Sequence, residues 1–226
     1  DGIGISSIDS NHVCLVTFNI HKDQFIDFKC DEAFRIGIHI QILCKILKCS
    51  SKSDNLILKY LNLDSNNLEI ELSGEYNKLF QLNIMDIDSE DKDLSHIDYD
   101  TATCIKLDSS KFNSIIKDLE IMGDDDINIE IKNNIAFFTI SGDSGKLTIE
   151  LNKNNVNDFI QYDTNKNMSY NNDFSLKYFL TFIKGNNLTK EVILYMKEGS
   201  PLLVEYILED SDNSYIRFYL APKIKE

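Results

Sequence analysis

Apolar and polar residues alternate along most of this chain. Leu68-Glu69-Ile70-Glu71-Leu72, Phe80-Gln81-Leu82-Asn83-Ile84, Ile127-Asn128-Ile129-Glu130-Ile131 and Leu147-Thr148-Ile149-Glu150-Leu151 all repeat with period two. Successive side chains of a strand point to opposite faces, so this pattern predicts antiparallel sheet with one wet face. Val13 to Phe18 and Leu56 to Tyr60 are further β-rich runs. Clusters such as Asp64-Ser65-Asn66-Asn67, Lys132-Asn133-Asn134 and Asp210-Ser211-Asp212-Asn213 supply the turns between strands.

Three segments switch to helical spacing. Ile40, Leu43 and Leu47 fall on one face of a helix over about 40–49. Phe112, Ile115, Ile116 and Leu119 do so over about 109–121, and Leu176, Phe179, Leu180 and Ile183 over about 175–184. Asp108 or Ser109 can cap the second helix, and Asp173 or Ser175 the third. The opposite faces are polar and alike: Gln41, Lys45 and Lys48; Ser110, Ser114 and Lys117; Lys177, Thr181 and Lys184. A lysine near a helix C-terminus can simply complement the helix dipole. Three matched stripes, each on a short helix that follows a strand, also fit a repeated strand–helix–strands unit.

Composition turns these stripes into a question. The chain has 226 residues and a net charge of −14. Nucleic acid attracts basic proteins, so any contact with it has to come from a local cationic surface on an acidic body. Five scattered cysteines suit a reducing compartment. No apolar run approaches the roughly 18 residues that would cross a bilayer, and no secretory segment is visible. The acidic stretch Met85 to Thr101 has weak periodicity and is long for an ordinary connection, which marks it as a linker or functional loop.

Three stretches carry a family resemblance. Ile5-Ser6-Ser7-Ile8-Asp9-Ser10-Asn11-His12-Val13-Cys14-Leu15-Val16 resembles the central loop of the proliferating cell nuclear antigen family, with its flanking strands. Lys45-Ile46-Leu47-Lys48-Cys49, soon after Phe28-Lys29-Cys30-Asp31, resembles the end of an inner helix of that family. Pro201-Leu202-Leu203-Val204-Glu205-Tyr206 with Phe218-Tyr219-Leu220-Ala221-Pro222-Lys223-Ile224 resembles its C-terminal segment. The order and spacing match along essentially the whole chain. The resemblance implies an α+β DNA-clamp (processivity) fold with two similar domains, antiparallel sheets outside and short helices inside, closing head to tail into a ring. The expected division is a first domain at 1–85, an interdomain connecting loop at 86–101 and a second domain at 102–226. The implied function is that of a nuclear, non-enzymatic sliding clamp without cofactor. As a homotrimer it would encircle duplex DNA without sequence preference. It would tether DNA polymerase, the clamp loader and other replication and repair proteins through short peptide motifs. The alternative is a specialised paralogue, such as a checkpoint-type heterotrimer subunit or a weakly assembling clamp.

The resemblance also assigns residues. Lys45, Lys48, Lys117, Lys177 and Lys184 match DNA-facing positions, while Ser114 stands where the family usually has Arg. Ile8, His12, Val13, Leu15, Pro201, Tyr219, Leu220, Ala221 and Pro222 match the pocket that takes partner peptides carrying a Gln, an aliphatic residue and an aromatic pair. The same residues could instead merely seal a domain junction. The usual Leu-Gly-Ile-Pro stretch of the connecting loop is absent, and Leu94 and Ile97 are candidates for its apolar role. Lys132 matches a lysine conjugated to ubiquitin-like modifiers, and is otherwise a plain turn lysine. Segments about 75–83 and 145–153 match the subunit interface. The family's opening strand and first inner helix have no counterpart before Asp1, so either a leading segment lies upstream or this copy is a truncated paralogue.

Metal and catalytic chemistry finds little support. His12, His21, His39 and His96 form no ligand spacing with the cysteines. Asp86, Asp88 and Glu90 begin like a calcium loop, but Asp91 and Ile97 occupy the positions that need Gly and Glu. Asp124-Asp125-Asp126 reads as an acidic turn. No phosphate-cradling glycine loop or nucleophile elbow occurs.

Overall fold

The structure is a computed structural model that describes residues 2–60, 66–86, 97–100, 102–133, 135–143, 145–152, 159–161, 169–208, 211 and 213–224. It divides into two compact units, one formed by 1–28 together with 94–226 and the other by 29–93.

The larger unit contains a seven-stranded and a four-stranded antiparallel sheet. In the first, β1 (Gly2–Ile8), β2 (Cys14–His21), β15 (Tyr215–Leu220), β14 (Leu202–Ile207), β13 (Glu191–Met196), β7 (Thr103–Asp108) and β11 (Phe159–Gln161) lie side by side in that order. Strands from the two ends of the chain therefore neighbour each other, with Leu15 opposite Tyr219 and Val16 opposite Phe218. The second sheet has the order β10 (Gly145–Asn152), β9 (Ile135–Gly142), β8 (Asp126–Lys132), β12 (Tyr170–Ser175). In β8 the alternate residues Ile127, Ile129 and Ile131 are wholly buried, as the period-two pattern requires.

Helices α2 (Ser109–Glu120) and α3 (Leu176–Phe182) pack against each other over the core. Phe112 of α2 meets Phe179 of α3 edge to face, 6.4 Å between ring centroids. Such pairs add about 0.5–1.5 kcal/mol to the burial of the rings themselves. Asp108 caps α2, its carboxylate accepting the Ser110 and Lys111 N–H groups. Ser175 occupies the cap position of α3 but its side chain makes no capping bond; the Leu176 N–H donates instead to the Asp125 carbonyl at 2.8 Å. A 3₁₀ turn, Ile183–Asn187, continues α3. There Gly185 lies so close to the buried Tyr206 ring that an added Cβ would approach it to 2.7 Å.

The smaller unit holds one antiparallel sheet, ordered β3 (Gly37–Ile38), β6 (Lys78–Met85), β5 (Asn67–Ser73), β4 (Asn55–Lys59), and the helix α1 (Ile40–Leu47). Its core is Ile46, Leu68, Ile70 and Leu82, with Leu43 packed at the margin. The sequence pattern put Ile40 on the buried face of α1. It is half exposed, because it is the first residue of the helix, and Ile46 is the residue that enters the core.

Candidate nucleic-acid interface and partner surface

Two surfaces of the larger unit bear the expected side chains. The first is the solvent side of α2 and α3. Burial of Phe112, Ile115, Ile116 and Leu119 on α2, and of Leu176, Phe179 and Phe182 on α3, forces the opposite faces outward. Ser110, Ser114 and Lys117 are exposed there, and so are Lys177, Thr181 and Lys184. Thr181 and Ser114 donate their hydroxyls to backbone carbonyls one turn earlier, Lys177 and Ser110 respectively. The Lys177 ammonium lies over the Tyr178 ring, 5.0 Å from its centroid. In the smaller unit Gln41, Lys45 and Lys48 are exposed along α1.

The second surface is the outer face of the seven-stranded sheet. Strand pairing sets Ile8, Leu15, Tyr219, Leu203, Tyr195 and Cys104 in a single cross-strand row. Leu15, Leu203 and Tyr219 form a small buried cluster on that row, flanked by Ile8, Tyr99 and Tyr195. Tyr99 reaches over from the segment before β7. Its hydroxyl donates to the Pro201 carbonyl at 3.0 Å, and its ring lies 6.1 Å from that of Tyr195 and 6.3 Å from that of Tyr219. Burial, and then the neighbouring Tyr219, push its phenol above the ordinary range.

On the next row of the sheet Glu205 is buried between polar partners. The Tyr195 hydroxyl donates to Glu205 Oε2 at 2.9 Å, and Arg217 Nε donates to Glu205 Oε1 at 2.6 Å. The Arg217 guanidinium also stacks on Tyr215, 3.8 Å from the ring centroid. Burial would lower the Arg217 pKa, but Glu205 more than offsets it and holds the guanidinium charged. A buried carboxylate needs such a partner, because the unpaired charge would be costly.

The nine expected pocket residues divide. Ile8, Leu15 and Tyr219 are together on the outer row, and Pro201 joins them through its carbonyl. His12 is exposed on the β1–β2 loop, and Ala221 and Pro222 are partly exposed on the tail that follows β15. The Ala221 N–H donates to the Val13 carbonyl at 2.9 Å, which fixes tail against loop. Val13 and Leu220 do not face this surface: both pack against the main core, and Leu220 is wholly buried there. Leu220 alternates with Tyr219 along its strand, so the two cannot share a face.

Sequence reasoning missed Tyr99, Tyr195 and Leu203. The unbroken run Leu202-Leu203-Val204 was an available signal, since a strand without a polar face is covered on both sides. Ile97 is partly buried, while Leu94, Asp88 and Glu90 lie outside the described residues. Lys132 is exposed at the end of β8, beside Asn133 with its left-handed φ of 52°. The cysteines are all free thiols. Among the described residues no three His, Cys, Asp or Glu side chains converge as a metal site, and no helix is long and apolar enough to cross a membrane.

Comparison with known proteins places the chain in a family. Residues 1–93 match the model of the proliferating cell nuclear antigen N-terminal domain, and residues 93–223 that of its C-terminal domain. The chain is 33% identical over 233 residues to the proliferating cell nuclear antigen of Chaetomium thermophilum, covering 99% of this chain and 86% of the relative. It is 31% identical over 229 residues to proliferating cell nuclear antigen 2 of Drosophila melanogaster, with 100% and 86% covered. Identity to the proliferating cell nuclear antigen of Dictyostelium discoideum is 29% over 233 residues, with 100% and 88% covered. Sheet-rich, antiparallel and matched from end to end, the chain belongs to the proliferating cell nuclear antigen family and has its two-domain α+β clamp fold.

Proposed function

We propose that this chain is a subunit of a homotrimeric sliding clamp that encircles duplex DNA in the nucleus and tethers replication and repair proteins to it. The observation that carries the reading is the orientation of α2 and α3. On a chain of net charge −14, both turn lysines to solvent while their aromatic and aliphatic faces are locked in the core. Lysine contacts to phosphate carry no sequence information and are weakened by salt. That suits a ring that holds DNA by enclosure and slides. The chain itself performs no reaction in this reading, and its partners do the chemistry.

Edge strands support ring closure. Among the described residues strand β10 pairs with β9 alone, and β3 pairs with β6 only at Met85 and Ile84, which leaves Lys78–Asn83 open on that side. Exposed edges tend to find partners, and the edge of one copy can add to the edge of the next. In chain order the domains are 1–85 and 102–226, with 86–101 as connecting loop; pairing of β2 with β15 joins the chain's beginning to its end. The outer row of Ile8, Leu15 and Tyr219, with the Ala221–Pro222 tail, is the partner-peptide surface. DNA polymerase and the clamp loader are the expected occupants. Lys132 is the candidate attachment point for ubiquitin-like modifiers.

Loading on circular DNA tests the reading. The clamp is expected to stay on closed circles and to run off once they are linearised. Equal loss from both would contradict it. In the same assay Lys117→Glu with Lys184→Glu is expected to lower loading about tenfold or more at low salt. Sedimentation at micromolar concentration should give a trimer; a monomer would favour the specialised, weakly assembling paralogue.

A further inference from the structure

The β1–β2 loop, which carries His12 and Val13, is built around one carboxylate. Asp9 Oδ1 accepts the Val13 and Cys14 N–H groups at 2.7 Å each, and Oδ2 accepts the Asn11 N–H at 3.4 Å. Backbone bonds from His12 N–H to the Asp9 carbonyl and from Asp9 N–H to the Cys14 carbonyl, both 2.9 Å, close the turn. Within it His12 adopts a φ of 56°, in the left-handed region that costs a non-glycine residue free energy. The surrounding bonds hold that conformation.

One of these bonds comes from far away in sequence. The Tyr178 hydroxyl, on α3, donates to Asp9 Oδ2 at 2.7 Å. The Tyr178 ring is itself well fixed. It packs against the main core, lies 6.5 Å from the Phe182 ring and carries the Lys177 ammonium over its face. A hydrogen bond to a charged acceptor is among the stronger ones a protein makes. The Val13 carbonyl in turn receives the Ala221 N–H, so whatever fixes the loop also registers the tail.

We propose that Tyr178 is a positioning residue for partner docking: through Asp9 it holds the β1–β2 loop, and with it the Ala221–Pro222 tail, in the geometry that receives a peptide. This rests on the partner-surface reading above. It adds that the docking rim is set from α3, the helix that, with the 3₁₀ turn continuing it, carries Lys177 and Lys184. The residue acts through Asp9 and the backbone.

Tyr178→Phe removes the hydroxyl and keeps the ring. Amide hydrogen exchange at Val13 and Cys14, followed by NMR, is expected to quicken about tenfold in this variant, while the Ile115 and Ile116 amides of α2 keep their protection. Titration with a synthetic peptide carrying a Gln, an aliphatic residue and an aromatic pair is expected to show Kd raised about three- to tenfold. Asp9→Asn, which keeps the shape and weakens the acceptor, should move both readouts the same way and serves if the first variant folds poorly. Unchanged exchange at Val13 and Cys14 overturns the proposal, and so does faster exchange with unaltered peptide affinity. A wild-type protein that ignores the peptide contradicts the partner-surface reading itself; a wild type that binds it, with Tyr178→Phe binding equally, removes the Tyr178 assignment alone.

Discussion

Helix α2 buries Phe112, Ile115, Ile116 and Leu119 in a core shared with two sheets, whereas α1 buries Ile46 and leaves Ile40 and Ile42 in water. The strands differ in the same way. Every second residue of β8 is fully covered, while Leu56, Ile57 and Leu58 of β4 are all exposed by more than a third. Both helices nonetheless present the same polar stripe ending in lysine. The comparison separates what the surface needs from what the core supplies. A stripe needs only a helix turned the right way, but its rigidity depends on how many apolar contacts lie beneath it.

The largest test of that difference is a large-to-small change in each core. Phe179→Ala is expected to cost about 3–5 kcal/mol, because its ring is fully buried among Phe112, Phe174 and Phe182. Ile46→Ala, in the thinner core, is expected near the lower end of about 2–5 kcal/mol, since only Leu68, Ile70 and Leu82 are buried with it. Denaturant melts of the two variants check the order. A larger loss at Ile46 would reverse the comparison.

Gly185→Ala sharpens it from the opposite side. Here the larger core is too tight, as the new methyl would meet the Tyr206 ring, and about 1–3 kcal/mol of destabilisation is expected in the same melts. Acid gives the smallest effect. Burial raises the Asp9 pKa, but the bonds from the Cys14 N–H, the Tyr178 hydroxyl and the Val13 N–H outweigh it and hold the carboxyl below its ordinary 3.8. Asp108 is lowered too, by the Ser110 hydroxyl and the Lys111 N–H. A depressed carboxylate contributes stability above its unfolded pKa and loses it as pH falls through the folded one. Melting temperature should therefore drop below about pH 4 in the wild type and less steeply in Asp9→Asn. Identical acid profiles would remove Asp9 from the account.

The sequence made the repeating parts legible. Period-two runs marked β5, β6, β8 and β10, and the spacing of Phe112, Ile115, Ile116 and Leu119 marked α2 to within a residue at its C-terminal end. Local rules were sufficient there, because a strand or helix with one wet face writes that face into its spacing. The partner surface was less legible. Which of Tyr219 and Leu220 faces outward is decided by pairing with β2, a contact between the two ends of the chain. The roles of Tyr99 and Tyr178 depend on hydrogen bonds to Pro201 and Asp9, 102 and 169 residues away. Short-range periodicity carries no information about such bonds. Ile40 failed for a simpler reason: it has the spacing of a core residue but stands at the very start of its helix.

Lysine footprinting reads which face of the protein meets DNA. The protein is acetylated with and without a duplex threaded through it, and each lysine is quantified by mass spectrometry. DNA is expected to protect Lys117, Lys177 and Lys184 and to leave Lys132, at the end of β8, as reactive as before. Protection of Lys132 with none on the two helices would contradict it.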